Sequence, residues 1–533
     1  MIYYFQVGIY IGVEQMKKII FWSALIITAC VVSTLLTFPD WDLWARLAVG
    51  SIFFQTGKVL HQDIFAYTPT KPIWIDHEWG SGVIFYAFAK LFGDLGLIFF
   101  KILLVIGILF FLIKIIKLNL DKDARIDPLF IIFLGICIMP NVLNIIRCQL
   151  FTFLFFSVFI YILERSRREE YKFIWILPVI MLFWANLHAG FVAGLGLIAI
   201  YTLGEYLNGN DIKKYLIILG VLAAVTLINP YGIHYIPFII ESISMPRPLV
   251  PEWRAINFEQ PYNILLGFKI HGFIGFMILI ALTVLSTIKA IIKENKPDWV
   301  RIFLVIITLY AGLSHQRHAF FFVAGSALLY NSYADLLKGF LGNTIEKIDK
   351  DILKFLSNAK TVLTILLLTI LGWFFINNLN NSGWKLLTRP EIYPVGSFEF
   401  IKQNNLKGNL AVPYNWGSYA LWKLYPEVKV LNDGRCEEVY PQDVIDITSY
   451  FSIHLNERWK ESLERYHTDI IIIPKIAYTM EDIRSIKGWQ IVYEDTLSMV
   501  LLPASKAKNT YVLPGFDNPL YWHEDLSKHI KLK

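Results

Sequence analysis

The stretch "TFPDWDLWARLAVG", from Thr37, sets two carboxylates, Asp40 and Asp42, two residues apart directly behind a run of apolar residues. On extended backbone that spacing points both to one face, as a shared cation or acceptor site requires; on a helix they diverge. Paired carboxylates serve glycosyl chemistry in a definite way. One takes the proton from an acceptor hydroxyl, or holds a divalent cation such as Mg or Mn, while positive charge develops at the anomeric carbon. The plainer reading is a helix stop, since Pro39 and Asp40 end an apolar span naturally. The rest of the loop favours chemistry: it carries Asp63 and "WIDHEW", where Asp76, His77 and Glu78 stand between Trp74 and Trp79.

Groups of the complementary sign recur in other short loops: Arg147 and Gln149 in "IIRCQLF", His188 in "NLHAG", Arg254 in "PEWRAINF", and Arg317 with His315 and His318 in "SHQRHAF". Each sits at the end of an apolar run, where an ionisable group is costly unless it has a partner or a task. Arginine there can hold a phosphate bidentately. The competing reading is that the guanidiniums snorkel to lipid headgroups, which suits Arg254 best. His188 and Asn186 equally suit a hydrogen-bonded structural role.

The elements that must position these residues follow from composition. The chain has 533 residues, 56% of them hydrophobic and 17% charged, with a mean hydropathy of +0.50. That is too apolar for an ordinary soluble domain and marks a polytopic membrane protein. A span takes roughly 17 to 25 apolar residues, and apolar runs of about that length, several of them shorter, fall near 19–38, 95–116, 128–145, 149–164, 172–187, 190–207, 214–229, 263–292, 299–313, 318–336 and 361–379. That makes about eleven α-helical spans, the first retained rather than cleaved. The shorter runs Ile233–Ser244 and Val83–Leu91 suit helices lying at the interface.

Lys and Arg collect in alternate loops, which places those loops and the N-terminus in the cytoplasm of a multi-pass cell-membrane protein. The same alternation accounts for the net charge of +6, so no nucleic acid is implied. The loop 39–80 and everything after Leu379 then lie outside. From Asn380 the composition becomes that of a soluble α/β domain, with strand-like runs "NLAVPYN", "VKVLND", "DIIIIP" and "SMVLLP". The expected organisation is a membrane domain over 1–379 and an extracytoplasmic α/β domain over 380–533. The four cysteines show no disulfide or zinc spacing.

An acidic pair behind the first span, then "LWARLAVG", "HEW", an Arg-x-Gln turn, "WANLHAGF", "NPYG" and "EW", resembles the bacterial branch of the GT-C membrane glycosyltransferases, related to protein mannosyltransferases and lipid A aminoarabinose transferases. The resemblance covers most of the membrane part. It implies inverting transfer from a polyprenyl-phosphate sugar, with an aspartate of the first outer loop as base or metal ligand; Asp40 matches that position best and Asp42 second. In the tail, "YNWGSYALWKLYP" with "VLNDGR" is similar in layout to the aromatic-rich region of oligosaccharyltransferase catalytic subunits. It departs from that pattern in having a single Trp416 and Gly417 where those have two tryptophans and an aspartate. Core packing explains Trp416, Tyr419 and Trp422 as well, and Asp433 with Arg435 reads equally as a structural ion pair.

These readings combine into a glycosyltransferase with Asp40 or Asp42 as base, Arg147, Arg317, His318 and His188 toward the donor phosphate, and Asp76, His77, Glu78, Arg254 and Trp416 toward the acceptor. Its partners would be a polyprenyl-phosphate sugar donor, membrane lipid and an acceptor the sequence does not name. Two other classes compete: a transporter or flippase of a lipid-linked or anionic solute, which would show repeats and mid-span polar residues, and a non-catalytic relative, which would lack the acidic pair.

Overall fold

Apolar runs without interior proline give helices, and in the computed structural model helices dominate. The structure describes residues 2–35, 38–120, 126–138, 145–168, 171–245, 251–257, 262–265, 268–271, 273–293, 297–333, 350–389, 391–451, 458–475, 486–507 and 522–530. In chain order the helices are α1 (Ile2–Thr34), α2 (Trp41–Thr56), α3 (Trp79–Leu118), α4 (Pro128–Ile138), α5 (Gln149–Arg168), α6 (Leu177–Leu187), α7 (Val192–Leu207), α8 (Lys213–Val225), α9 (Tyr235–Ser244), α10 (Ile274–Lys293), α11 (Trp299–Ser314), α12 (Ala319–Ser326), α13 (Lys350–Asn381), α14 (Val395–Gln403) and α15 (Tyr414–Leu424), followed by the short helices Gln442–Thr448, Lys460–Arg465 and Ala504–Ala507.

Among the described residues, five helical stretches are long and apolar enough to cross a membrane: Glu14–Thr34, Trp79–Leu118, Gln149–Arg168, Ala189–Leu207 and Phe355–Asn381. Four more are apolar but shorter: Pro128–Ile138, Lys172–Leu187, Ile274–Lys289 and Trp299–Ser314. Two expected runs change shape. The stretch expected to begin a span at 263 instead forms an antiparallel hairpin, β1 (Tyr262–Leu265) with β2 (Phe268–His271), and the helix starts at Ile274. Hydropathy alone does not separate a short apolar strand from a helix. The interfacial stretch 83–91 and the span 95–116 join in α3, broken at Gly93, whose φ of 62° and ψ of −147° suit only glycine. The span expected over 128–145 is helical to Ile138, and 139–144 lie outside the described residues.

The chain divides into two compact units. The first comprises Met1–Leu36, Ile98–Ile228 and Pro246–Gly383. Here α1 packs on α4 and α13, and α11 on α7 and α12. At one end Arg167 ties three elements together, pairing with Glu164, Glu205 and Asp298, and Asp298 caps α11 by accepting from the Val300 N–H. That network lines a cavity of about 700 Å³ with Lys214 and Arg301.

The second unit comprises Thr37–Leu97, Asn229–Met245 and Trp384–Lys533, so the linear division at 379/380 is not how the chain packs. After a short antiparallel pair of β3 (Leu387–Thr388) with β9 (Trp522–His523), its core is a mixed five-stranded sheet ordered β5-β4-β6-β8-β7, from β4 (Gly408–Ala411), β5 (Val428–Val430), β6 (Ile470–Pro474), β7 (Trp489–Glu494) and β8 (Ser498–Pro503). The central β6, "IIIIP", is buried along its whole length, as an uninterrupted isoleucine run demands. Edge strand β5 is covered by the first loop: Tyr67 N–H donates to Val430 O at 3.1 Å and Val430 N–H to Phe65 O at 3.0 Å. Helix α2 lies on α15, with Trp44 fully buried 4.8 Å from the Tyr419 ring.

Candidate functional site

The acidic pair stands at the start of α2 rather than on a strand. Asp40 occupies the N-cap with extended backbone (φ −78°, ψ 162°), and Asp42 lies in the first helical turn. The spacing of two therefore does not put both on one face, although both suit the positive end of the helix dipole. Asp40 is buried and Asp42 half-buried. Asp42 faces the turn before Arg435: a Cβ at Gly434 would stand 3.2 Å from its Oδ1. Its charge adds to burial in raising the Tyr414 hydroxyl and the Cys436 thiol above their usual values.

The "WIDHEW" residues meet two partners that sequence reasoning did not single out, Arg46 and Glu438. Arg46, buried on α2, donates to Asp76, lies 3.5 Å from Glu78 through Nε, and reaches Glu438 at 3.6 Å through Nη2. His77 Nδ1 lies 3.2 Å from Glu438 Oε1, and His77 Nε2 lies 3.6 Å from Glu78 Oε1. Trp74 donates its indole N–H to Glu438 Oε2 at 3.3 Å. Burial pushes the Glu438 carboxyl well up; Arg46 opposes this, and Asp76 and Glu78 reinforce it. Among the described residues, His77, Glu78 and Glu438 form the one group of three or more such side chains placed to share a metal ion. Asp40 and Asp42 are not part of it.

The "NDGR" turn is structural. Arg435 pairs with Asp433 at 2.7 Å and Asp63 at 2.6 Å, all three side chains buried, while its guanidinium lies over Phe65 and Trp74. Burial would raise the Asp433 carboxyl, but Arg435 and the Tyr440 hydroxyl hold it below the usual range. Trp416 is a core side chain of the same unit, fully buried with its N–H donated to Ile392 O at 2.8 Å.

In the first unit the basic loop residues converge. Arg147 Nη1 donates to Glu252 Oε2 at 2.6 Å, and Arg317 Nη1 lies 3.6 Å from Glu252 Oε1. Arg317 stacks over Trp253, with its carbon Cζ 4.6 Å from the ring centroid, and His315 and His318 contact the same indole edge-on. Burial would raise Glu252, but the two arginines hold it below the carboxylate range. Gln149 donates to Arg317 O at 3.1 Å, fixing that turn to the start of α5. One turn further, Thr152 accepts the Trp184 indole N–H at 2.8 Å and lies 2.8 Å from His188 Nδ1. His188 Nδ1 also accepts the Gly190 N–H, so its ring proton sits on Nε2. Arg254 is exposed, its carbonyl accepting from Gln316 N–H.

Glu252 and Trp253 were legible only as part of "PEWRAIN": a carboxylate beside an arginine and a tryptophan gave no sign that its partners were 105 and 65 residues away.

The fold these elements build is similar to that of solved archaeal oligosaccharyltransferases. The particular likenesses are to the Archaeoglobus fulgidus oligosaccharyltransferase in its apo form (TM-score 0.54, 10% identity, 85% of this chain and 69% of that one) and to the archaeal oligosaccharyltransferase AglB from the same organism in complex with an inhibitory peptide and a dolichol-phosphate (TM-score 0.53, 12% identity, 87% and 70%). ArnT from Cupriavidus metallidurans bound to undecaprenyl phosphate aligns over 95% of this chain and 99% of its own at 10% identity, with a lower TM-score of 0.47. No family model matches the chain. No curated protein matches it in sequence.

Proposed function

We propose that the chain is a multi-pass cell-membrane glycosyltransferase moving a sugar from a polyprenyl-phosphate donor to an extracytoplasmic acceptor with inversion. The observation that carries this reading is the convergence of Arg147 and Arg317 on one carboxylate beside Trp253, in a chain with the fold of an archaeal protein solved with a dolichol-phosphate. Two guanidiniums sharing a counter-anion offer a phosphate the same charge-assisted hydrogen bonds.

In the reaction the acceptor oxygen bonds to the anomeric carbon as the bond from that carbon to the lipid phosphate oxygen breaks. The hydroxyl proton passes to Asp40 or Asp42, and the lipid phosphate leaves with the bonding electrons, its charge met by Arg147 and Arg317. His188 and His318 supply further N–H donors to the phosphate, and Arg254 with the "DHE" residues serves the acceptor. Residues 380–533 lie outside the cytoplasm in this reading, as the loop charges suggest.

The test is transfer from a radiolabelled polyprenyl-phosphate hexose to mixed membrane extract by purified protein. Label should move, and Arg147→Ala should bind donor about tenfold or more weakly while keeping its fold. Donor that binds without label ever moving would instead favour a transporter of lipid-linked solute.

A further inference from the structure

Around the cavity of about 700 Å³ at the Arg167 end of α5, most charged groups are already matched. Arg167 meets Glu164, Glu205 and Asp298. Arg301 reaches Asp298 at 3.2 Å, and Arg168 reaches Glu164 at 3.7 Å. The second oxygen of Glu205 accepts from the Asn210 amide. Asp211, Lys214 and Tyr215 also line the cavity, at the turn into α8, and stand outside that network. Lys214 meets no carboxylate among the described residues; its Nζ donates to Ser166 O at 3.3 Å and lies 4.9 Å from the Tyr215 ring centroid. Asp211 meets no cation among them, and one of its oxygens accepts the Lys213 N–H at 2.9 Å. Tyr215 is 1% exposed, and its hydroxyl has no hydrogen-bond partner among the described residues. The lining therefore leaves one positive group, one negative group and one buried hydroxyl unmatched, and a buried hydroxyl is costly without a partner.

This cavity is remote from the convergence of Arg147 and Arg317 on Glu252. Gln149 begins α5 and Arg167 lies in its last turn, which is about 27 Å of helix at 1.5 Å per residue. Asp298 likewise caps the start of α11, whose other end carries His315. The rim is apolar: Tyr206 and Leu207 at the end of α7, and Leu216 and Ile217 in the first turns of α8, are exposed beside the lining residues. A polar recess with such a rim, at the ends of spans, suits a lipid whose tails lie in the bilayer while its headgroup enters.

We propose that the cavity seats the headgroup of a zwitterionic phospholipid, a phosphodiester joined to a primary ammonium, on the side that the loop charges place in the cytoplasm. Lys214 and the Tyr215 hydroxyl meet the phosphate, and Asp211 meets the ammonium. The lining carries four basic and four acidic side chains. A ligand of no net charge keeps the recess neutral, whereas a purely anionic phosphate leaves Asp211 unmatched.

The experiment is native mass spectrometry of the delipidated full chain in detergent, titrated with phosphatidylethanolamine, phosphatidylglycerol or tail-free glycerophosphoethanolamine. Asp211→Asn, Lys214→Gln and Tyr215→Phe are compared with Lys18→Gln, which changes an exposed lysine outside the cavity, and thermal unfolding checks each fold. The expected result is one phosphatidylethanolamine per chain, held about tenfold or more weakly by Lys214→Gln and by Asp211→Asn. Tyr215→Phe should hold it several-fold more weakly, and Lys18→Gln as wild type does. Phosphatidylglycerol, which lacks the ammonium, and the tail-free ester should each bind wild type about tenfold or more weakly than phosphatidylethanolamine. Absence of a stoichiometric lipid, binding indifferent to the three cavity substitutions, or phosphatidylglycerol bound as tightly as phosphatidylethanolamine overturns the proposal. So does glycerophosphoethanolamine bound as tightly as the lipid, which makes the ligand a soluble phosphate ester. The comparison of ligands on wild type holds even where a variant fails to fold, and no readout depends on sugar transfer.

Discussion

Glu252 lies 2.6 Å from Arg147 and holds Arg317 at 3.6 Å through its other oxygen, so one carboxylate occupies the guanidiniums that a phosphate would need. Glu252→Gln removes that internal competitor. It should tighten polyprenyl-phosphate binding several-fold, whereas Arg147→Ala should weaken it by about tenfold or more, the scale of a lost charge-assisted hydrogen bond. Titration of a fluorescent polyprenyl phosphate against the three proteins reads both effects.

Asp40→Asn and Asp42→Asn should separate base from bystander. The variant that loses the base should fall by about 10²- to 10⁴-fold in kcat with little change in donor affinity. Equal and small effects from both would remove the acidic pair from the chemistry.

Arg46 is the cation shared by Asp76, Glu78 and Glu438. Arg46→Met strands buried carboxylates and should cost about 3–5 kcal/mol of stability, the usual penalty for removing one partner of a buried pair. Denaturant unfolding in detergent measures it, and a loss under about 1 kcal/mol would contradict the burial argument.

Arg435 holds the Asp433 carboxyl below its usual range. Its folded value is depressed relative to the unfolded chain, so the stabilisation is complete above the ordinary aspartate pKa of about 3.9 and is lost as pH falls through the folded value. Acid unfolding should therefore be steeper in wild type than in Asp433→Asn, which has already lost the charge. Parallel acid profiles would show that the pair contributes nothing.

Gly417 is required by space rather than by backbone freedom. A Cβ there would stand 2.1 Å from the Asn432 carbonyl oxygen and 2.8 Å from Asp433 Cα. Gly417→Ala must push α15 off the turn after β5, at a cost of about 1–3 kcal/mol typical of overpacking. A thermal midpoint equal to wild type would refute the close approach.

Much of the helical part was legible because a lipid-facing or core-facing helix must be apolar along its length, and "DIIIIP" and "SMVLLP" read as strands because buried strands leave no polar alternation. The hairpin Tyr262–His271 was not legible, since its apolar content matches the start of a span. Strand β7, "WQIVYE", went unseen because polar Gln490 and Glu494 interrupt its apolar residues.

The sequence by itself determined the class of protein, the ionisable residues at the ends of apolar runs and the acidic pair, because hydropathy and charge are local properties of the chain. Only the tertiary structure decided which of them meet. Arg147 finds Glu252, Arg435 finds Asp63 and His77 finds Glu438 across 105, 372 and 361 residues. Such pairings are set by how helices and strands pack, and one chain read in order carries no record of contacts at that range.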